Sequence, residues 1–114
     1  MASGTIKASH DIESLTVTYA VSAVAKEITA YKYDKLFVIG GYVNISPSTA
    51  VSSATKLFSV SNIALRATGR LLLVNVSTGD IVPCYMSWDG HVYPNISVTL
   101  NGAYSVIASA FMLS

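Results

Sequence analysis

The stretch Val82-Pro83-Cys84-Tyr85-Met86-Ser87-Trp88-Asp89-Gly90-His91-Val92-Tyr93 sets two alternating runs on either side of an Asp-Gly pair. Asp-Gly between such runs is a strong hairpin signal, because Gly accepts the positive φ that a tight primed turn demands. With Asp89 and Gly90 as the two central turn residues, Trp88 falls opposite His91 and Met86 opposite Tyr93. Val82, Cys84, Met86, Trp88, His91 and Tyr93 then share one face of the ribbon, apolar at its base and aromatic at its tip.

The chain on either side of this hairpin also reads as strand. Arg70 to Val76 alternates, with both faces apolar near its start, and Ser77-Thr78-Gly79-Asp80 turns the chain. Ile81 to Trp88 runs back, and Pro83 places it at an edge or a bulge. Pro94 ends the ladder. Ile96, Val98 and Leu100 alternate with Ser97 and Thr99, Asn101-Gly102 reads as another tight turn, and Ala103 to Leu113 reads as a long apolar closing strand.

Toward the N-terminus, residues 5–11 carry no periodicity and read as an arm or linker. Leu15, Val17, Tyr19, Val21 and Ala23 alternate with small polar residues as one strand. Ala23-Val24-Ala25-Lys26-Glu27 is compatible with a short helix, since Ala, Lys and Glu are helix formers. Ile28 to Tyr33 and Leu36 to Ile45 read as two strands joined at Tyr33-Asp34-Lys35. Phe37, Ile39, Gly41, Val43 and Ile45 lie on one face of the second. Gly40-Gly41 inside it predicts a bulge or a close backbone approach. Ser46-Pro47-Ser48-Thr49 reads as a loop, Thr55 to Val60 as a short strand, and Ser61 to Thr68 as irregular chain anchored by Ile63 and Leu65.

About eight short strands with no long helix and no βαβ alternation predict an all-β domain. The expected architecture is an antiparallel two-sheet β-sandwich, jelly-roll-like, in one domain of 114 residues.

Composition bears on partners. Charged residues are 11% and hydrophobic residues 52% of the chain, against about 25% charged in a typical globular domain. Sixteen Ser, nine Thr and five Asn supply much of the polarity. So few charges leave much apolar surface to be covered by another copy, and a homo-oligomer is expected. The net charge is +1 without a basic cluster, which argues against nucleic acid. No apolar run approaches the length of a membrane span, so no membrane insertion is expected, and no signal peptide is visible. The lone Cys84 cannot form an internal disulfide and reads as a small buried hydrophobe.

Catalytic patterns are thin. There is no GxSxG elbow and no phosphate-binding glycine motif. The two histidines, His10 and His91, stand far apart in sequence. Asp34, Asp80 and Asp89 read as turn residues, so paired carboxylates across a cleft are not expected. The reading is of no enzyme, no cofactor and no metal site; in the assumed register Cys84, Asp89 and His91 do not converge. Asn44-Ile45-Ser46, Asn75-Val76-Ser77 and Asn95-Ile96-Ser97 match the glycosylation pattern, but they also fit strand ends. The positive candidate is aromatic. Trp88, Asp89, His91 and Tyr93 form a candidate ligand-binding set, with a ring to stack on sugar C–H faces and polar groups to bond hydroxyls. The competing reading makes Trp88 a cap on the core or on a subunit interface.

Four segments carry a family resemblance. They are Tyr31-Lys32-Tyr33-Asp34-Lys35-Leu36-Phe37-Val38-Ile39-Gly40-Gly41-Tyr42-Val43-Asn44-Ile45, then Lys56-Leu57-Phe58-Ser59-Val60 with Ser87-Trp88-Asp89-Gly90-His91-Val92, and finally Gly102 to Phe111. From Ile28 onward the chain resembles the C-terminal receptor-binding head domains of phage tail fibre and baseplate proteins. It departs at Asn62-Ile63-Ala64-Leu65-Arg66-Ala67, where such domains often carry a Gly/Tyr/Arg/Pro-type segment. The resemblance implies a homotrimeric head at residues 28–114, reached through an arm and lead-in strand at residues 1–27. It also implies a virion location and non-catalytic binding of a bacterial cell-surface saccharide. The alternatives are a structural trimerisation or capping domain of a virion fibre, and a small non-viral carbohydrate-binding β-sandwich.

Overall fold

The computed structural model describes residues 12–114. The arm at residues 5–11, with His10 and Asp11, lies outside the described residues. Ten strands follow in order: β1 Ile12–Leu15, β2 Val17–Tyr19, β3 Ala23–Tyr33, β4 Leu36–Val51, β5 Phe58–Val60, β6 Gly69–Asn75, β7 Ile81–Met86, β8 His91–Pro94, β9 Val98–Ile107 and β10 Phe111–Met112. All pairings are antiparallel. The described residues contain no helix.

Where two sheets were expected, all ten strands belong to one hydrogen-bonded sheet of order β1-β3-β4-β9-β6-β7-β8-β5-β2, with β10 added to β4. The ladder stays continuous because β9 pairs with β4 on one side and β6 on the other. The two ends of this order are β1 and β2, which only Thr16 separates in the chain. Two residue steps span at most about 7 Å, so the sheet has to curl until its ends meet. It forms an elongated half-barrel, 51 × 26 × 21 Å. One bond spans the closure, from Ile28 N on β3 to the Tyr19 hydroxyl on β2 (3.0 Å), while Ser61 N to Thr16 O (3.1 Å) and Ala20 N to Leu57 O (2.9 Å) extend the β2–β5 pairing at either end.

Alternation decides which side chains enter the curl. Phe37, Ile39, Val43 and Ile45, grouped on one face of β4 by the period-two reading, are buried, and of the two apolar faces of β6 the one carrying Leu71 and Leu73 is the buried one. Phe37 stacks on Phe111, with ring centroids 5.8 Å apart. Ile63 packs partly buried against the core and Leu65 is buried, so the irregular segment is anchored where expected.

Several local expectations give way to pairing. Residues 23–27 are strand, because β3 pairs with β4 along its length; tertiary pairing overrides helix propensity there. β3 also runs unbroken across position 27, so the described part of the expected arm and lead-in is built into the same sheet. The strand expected over Leu15–Ala23 is broken at Thr16 and again after Tyr19. The expected strand at Thr55–Val60 shortens to β5. Pro83 lies in an interior strand, yet β8 pairs only with Cys84 to Met86, so the missing N–H falls where that ladder ends. The close approach expected at Gly40-Gly41 is found at Gly41, where a Cβ would strike the Glu27 carbonyl.

Asn101-Gly102 is not a turn. β9 passes straight through it, and the reversal signal is absorbed by β4, which bulges over Ser46–Ser48 between the Ile45–Gly102 and Thr49–Leu100 pairs. The loop expected at Ser46–Thr49 is this bulge within β4. The closing strand stops at Ile107, and the break at Ala108–Ala110 resets parity, so Tyr104 and Val106 point inward before it and Phe111 and Leu113 after it.

Asn75 holds the β6–β7 turn. It is the buried polar residue among the described ones. Its Oδ1 accepts from Ser77 N (2.9 Å) and Thr78 N (3.0 Å), and its Nδ2 donates to Asn101 O (3.1 Å). Asn75→Ala leaves two amides and a carbonyl without those partners, so a loss of about 1–3 kcal/mol is expected in urea unfolding. The exposed neighbour Val76 serves as control: Val76→Ala should fall within about 0.5 kcal/mol of wild type.

Candidate functional site

The turn between β7 and β8 has three residues where the sequence reading placed two. Met86 pairs with Val92, Tyr85 with Tyr93 and Cys84 with Pro94. Ser87 N donates to His91 O (2.8 Å) and Gly90 N to Ser87 O (2.9 Å), enclosing Trp88, Asp89 and Gly90. Gly90 has φ 91°. A type I turn followed by a left-handed Gly is the usual three-residue hairpin loop. Its signal was present in the sequence: Ser at the first turn position and Gly at the fourth.

A slip of one residue moves side chains to the opposite face. Met86, Cys84 and Val82 lie inward with Val92 and Pro94, and all five are buried. His91 and Tyr93 lie on the outward face with Tyr85 and are half-buried. Trp88 sits in the loop between the strands, so it shares no ladder face with Met86 or with His91 and Tyr93. The expected single face of Val82, Cys84, Met86, Trp88, His91 and Tyr93 is therefore corrected.

The turn backbone is clamped. Leu65 N donates to Trp88 O (2.7 Å), and Val60 N donates to Gly90 O (2.9 Å). A Cβ on Gly90 would meet Val60 O at 2.5 Å, so this position needs Gly for space as well as for φ. The Trp88 ring is 61% exposed on this fixed backbone. It belongs neither to the buried core nor to the partly buried residues packed against it.

Polar groups gather beside it. The Ser87 hydroxyl donates to Asp89 Oδ1 and also accepts from His91 N (3.2 Å). The Ser87 hydroxyl holds the Asp89 carboxyl below its ordinary range. Slight desolvation opposes this, and the charges of His91 and Lys56 reinforce it. On the outward face Tyr85 and Tyr93 stack with centroids 5.5 Å apart and planes at 23°, and Arg70 is directly opposite Tyr85 on β6. Sequence reading counted Tyr85 only among the chain's general supply of aromatics and missed Ser87, because its two-residue turn set the wrong register; Arg70 and Lys56 were missed because they come from chain segments outside the hairpin.

The structure thus places Asp89 and His91 at the β7–β8 turn beside Ser87, with Trp88 exposed in the loop and Tyr93 farther along the outward face of β8 against Tyr85. This set offers aromatic surfaces with hydroxyl, carboxylate, imidazole and guanidinium edges. Cys84 is elsewhere, facing the core, with burial pushing its thiol up to about 12. Among the described residues no group of three or more His, Cys, Asp and Glu side chains is placed to hold a metal ion. Likewise, none of the described residues forms a helix long and apolar enough to cross a membrane. Searches find no matching family model, no matching curated protein and no matching solved structure.

Two outcomes are expected here. Cys84 should stay unreactive toward a disulfide reagent at pH 8 in the native chain and react at once in denaturant; fast native labelling would contradict its burial. Asp89 has a lowered folded value, so its stabilisation is present above the ordinary carboxylate range and lost as pH falls through that lowered value. In an NMR titration, Ser87→Ala should move the Asp89 midpoint upward.

Proposed function

We propose that this chain is a non-catalytic receptor-binding head of a phage tail fibre or baseplate adhesin, which takes a bacterial cell-surface saccharide at the β7–β8 turn. In this reading the curled sheet is the jelly-roll-like sandwich head that the sequence implied, and copies assemble as a homotrimer in the virion. The observation that carries the saccharide is the Trp88 ring, exposed on a backbone held by Leu65 and Val60. A large apolar ring left in water costs hydration, and stacking on a sugar C–H face recovers it. Asp89 and His91 provide a carboxylate and an imidazole within the same turn, suited to sugar hydroxyls. The fixed backbone lowers the entropy lost on binding.

A single such site binds weakly. Three copies on one head raise the effective concentration at a repetitive cell surface, which accounts for firm adhesion by a chain with few charges. The phage assignment itself stands on the sequence resemblance from Ile28 onward.

A glycan array probed with the wild-type chain tests the reading. Trp88→Ala is expected to weaken the strongest signal roughly tenfold or more, as loss of an anchoring aromatic does. Its melting temperature should match wild type, since Trp88 leaves no cavity. Absence of any glycan signal in wild type, together with an intact oligomer, would favour the structural capping reading instead. A wild type that binds glycan as a monomer would favour the non-viral carbohydrate-binding module.

A further inference from the structure

At the β1–β3–β4 corner, far along the sheet order from the β7–β8 turn, two outward cross-strand rows carry no charged side chain; exposed Asp34 and Lys35, of opposite sign, flank them in the β3–β4 turn, and Glu27 shares their parity farther along β3. Ile12 pairs with Tyr33, Tyr33 with Leu36, and Leu36 with Met112, so the four side chains stand in one cross-strand row. Tyr31 and Val38 form the next row. These six residues are 36–55% exposed. Ile12, Tyr31, Tyr33, Leu36 and Val38 line a cleft of about 500 Å³. The nearest charged pair in the ladder, Glu13 opposite Lys32, falls on the other parity.

We propose that copies of this chain meet one another through this face. Three observations choose a second copy over other occupants. The rows of this face are uncharged, so it can meet itself around a symmetry axis without like-charge repulsion. Its six side chains are each more than a third exposed, and a second copy removes that apolar surface from water. It also adjoins β1, an end strand of the sheet whose outer backbone edge is unpaired among the described residues, and a neighbouring copy shields that edge. A small polar ligand suits the cleft poorly, because apart from two phenol hydroxyls its lining is apolar.

The inference rests on the self-association in the functional reading and not on the saccharide. Sedimentation velocity on the full chain at micromolar concentration tests it, with Val38→Lys and Leu36→Lys as variants and Val76→Lys as control. Wild type and Val76→Lys are expected to sediment as one oligomer. Both face variants should dissociate to monomers with wild-type β-sheet circular dichroism, their self-affinity at least tenfold weaker. If one face variant fails to fold, the other decides. A wild-type monomer, or an oligomer that survives a folded face variant, overturns the proposal. A monomer that still binds glycan would leave the saccharide reading standing, whereas assembly through this face without glycan binding would end that reading and keep this one.

Discussion

The structure depends on one covalent constraint. The first and last strands in the sheet order, β1 and β2, are joined through Thr16 alone. A flat sheet of this width would hold its edges many strand spacings apart, at about 4.8 Å each. The join removes that option and forces the curl. Once curled, the inward side chains have a common interior, and alternation along every strand acquires a single meaning: one parity faces the core and the other faces out. The bond from Ile28 to the Tyr19 hydroxyl across the closure fastens what the chain connection begins, and the Ser61 and Ala20 bonds hold β2 on β5.

The two outward features follow from that division. Toward the β2 end of the ladder, Tyr85 and Tyr93 stand on the outward parity because Met86 and Val92 occupy the inward one. Trp88 escapes both parities by lying in a three-residue loop. At the other end, Ile12, Tyr31, Tyr33, Leu36 and Val38 are outward because Ile28, Ala30, Phe37 and Ile39 fill the interior. Polar groups accompany the aromatic rings at the first site and are scarce at the second. That difference in chemistry separates a face suited to a hydroxyl-rich ligand from one suited to another protein surface.

Bulges let one sheet hold strands of unequal length. β4 has 16 residues and pairs with β3, β9 and β10 along different stretches. The extra residues at Ser46–Ser48 allow it to stay in register with β9 on both sides of Asn101. Asn75 reaches across to the Asn101 carbonyl, tying the β6–β7 turn to the same point. A buried amide with its donors and acceptors matched fixes this junction more specifically than apolar packing could. The glycosylation pattern at Asn75 is thus spent on structure.

The sequence by itself determined the strand character of the chain, the shared face of Phe37, Ile39, Val43 and Ile45 in β4, the Asp34–Lys35 hairpin, the close approach at Gly41 and the burial of Cys84. These are local consequences of period two, steric demand at Gly and side-chain hydrophobicity, all of which a short window carries. It also singled out Trp88, Asp89, His91 and Tyr93, since turn residues and aromatics are visible without a fold. Tertiary structure decided the rest. Ser87 bonding to both Asp89 and His91 selected the three-residue turn and turned Tyr85 outward. Pairing with β4 made residues 23–27 a strand and carried β9 through Asn101-Gly102. The single curled sheet came from β9 bridging β4 and β6. Each of these depends on a partner strand distant in sequence, and local propensities of a few tenths of a kcal/mol per residue yield to the hydrogen bonds and burial such a partner supplies.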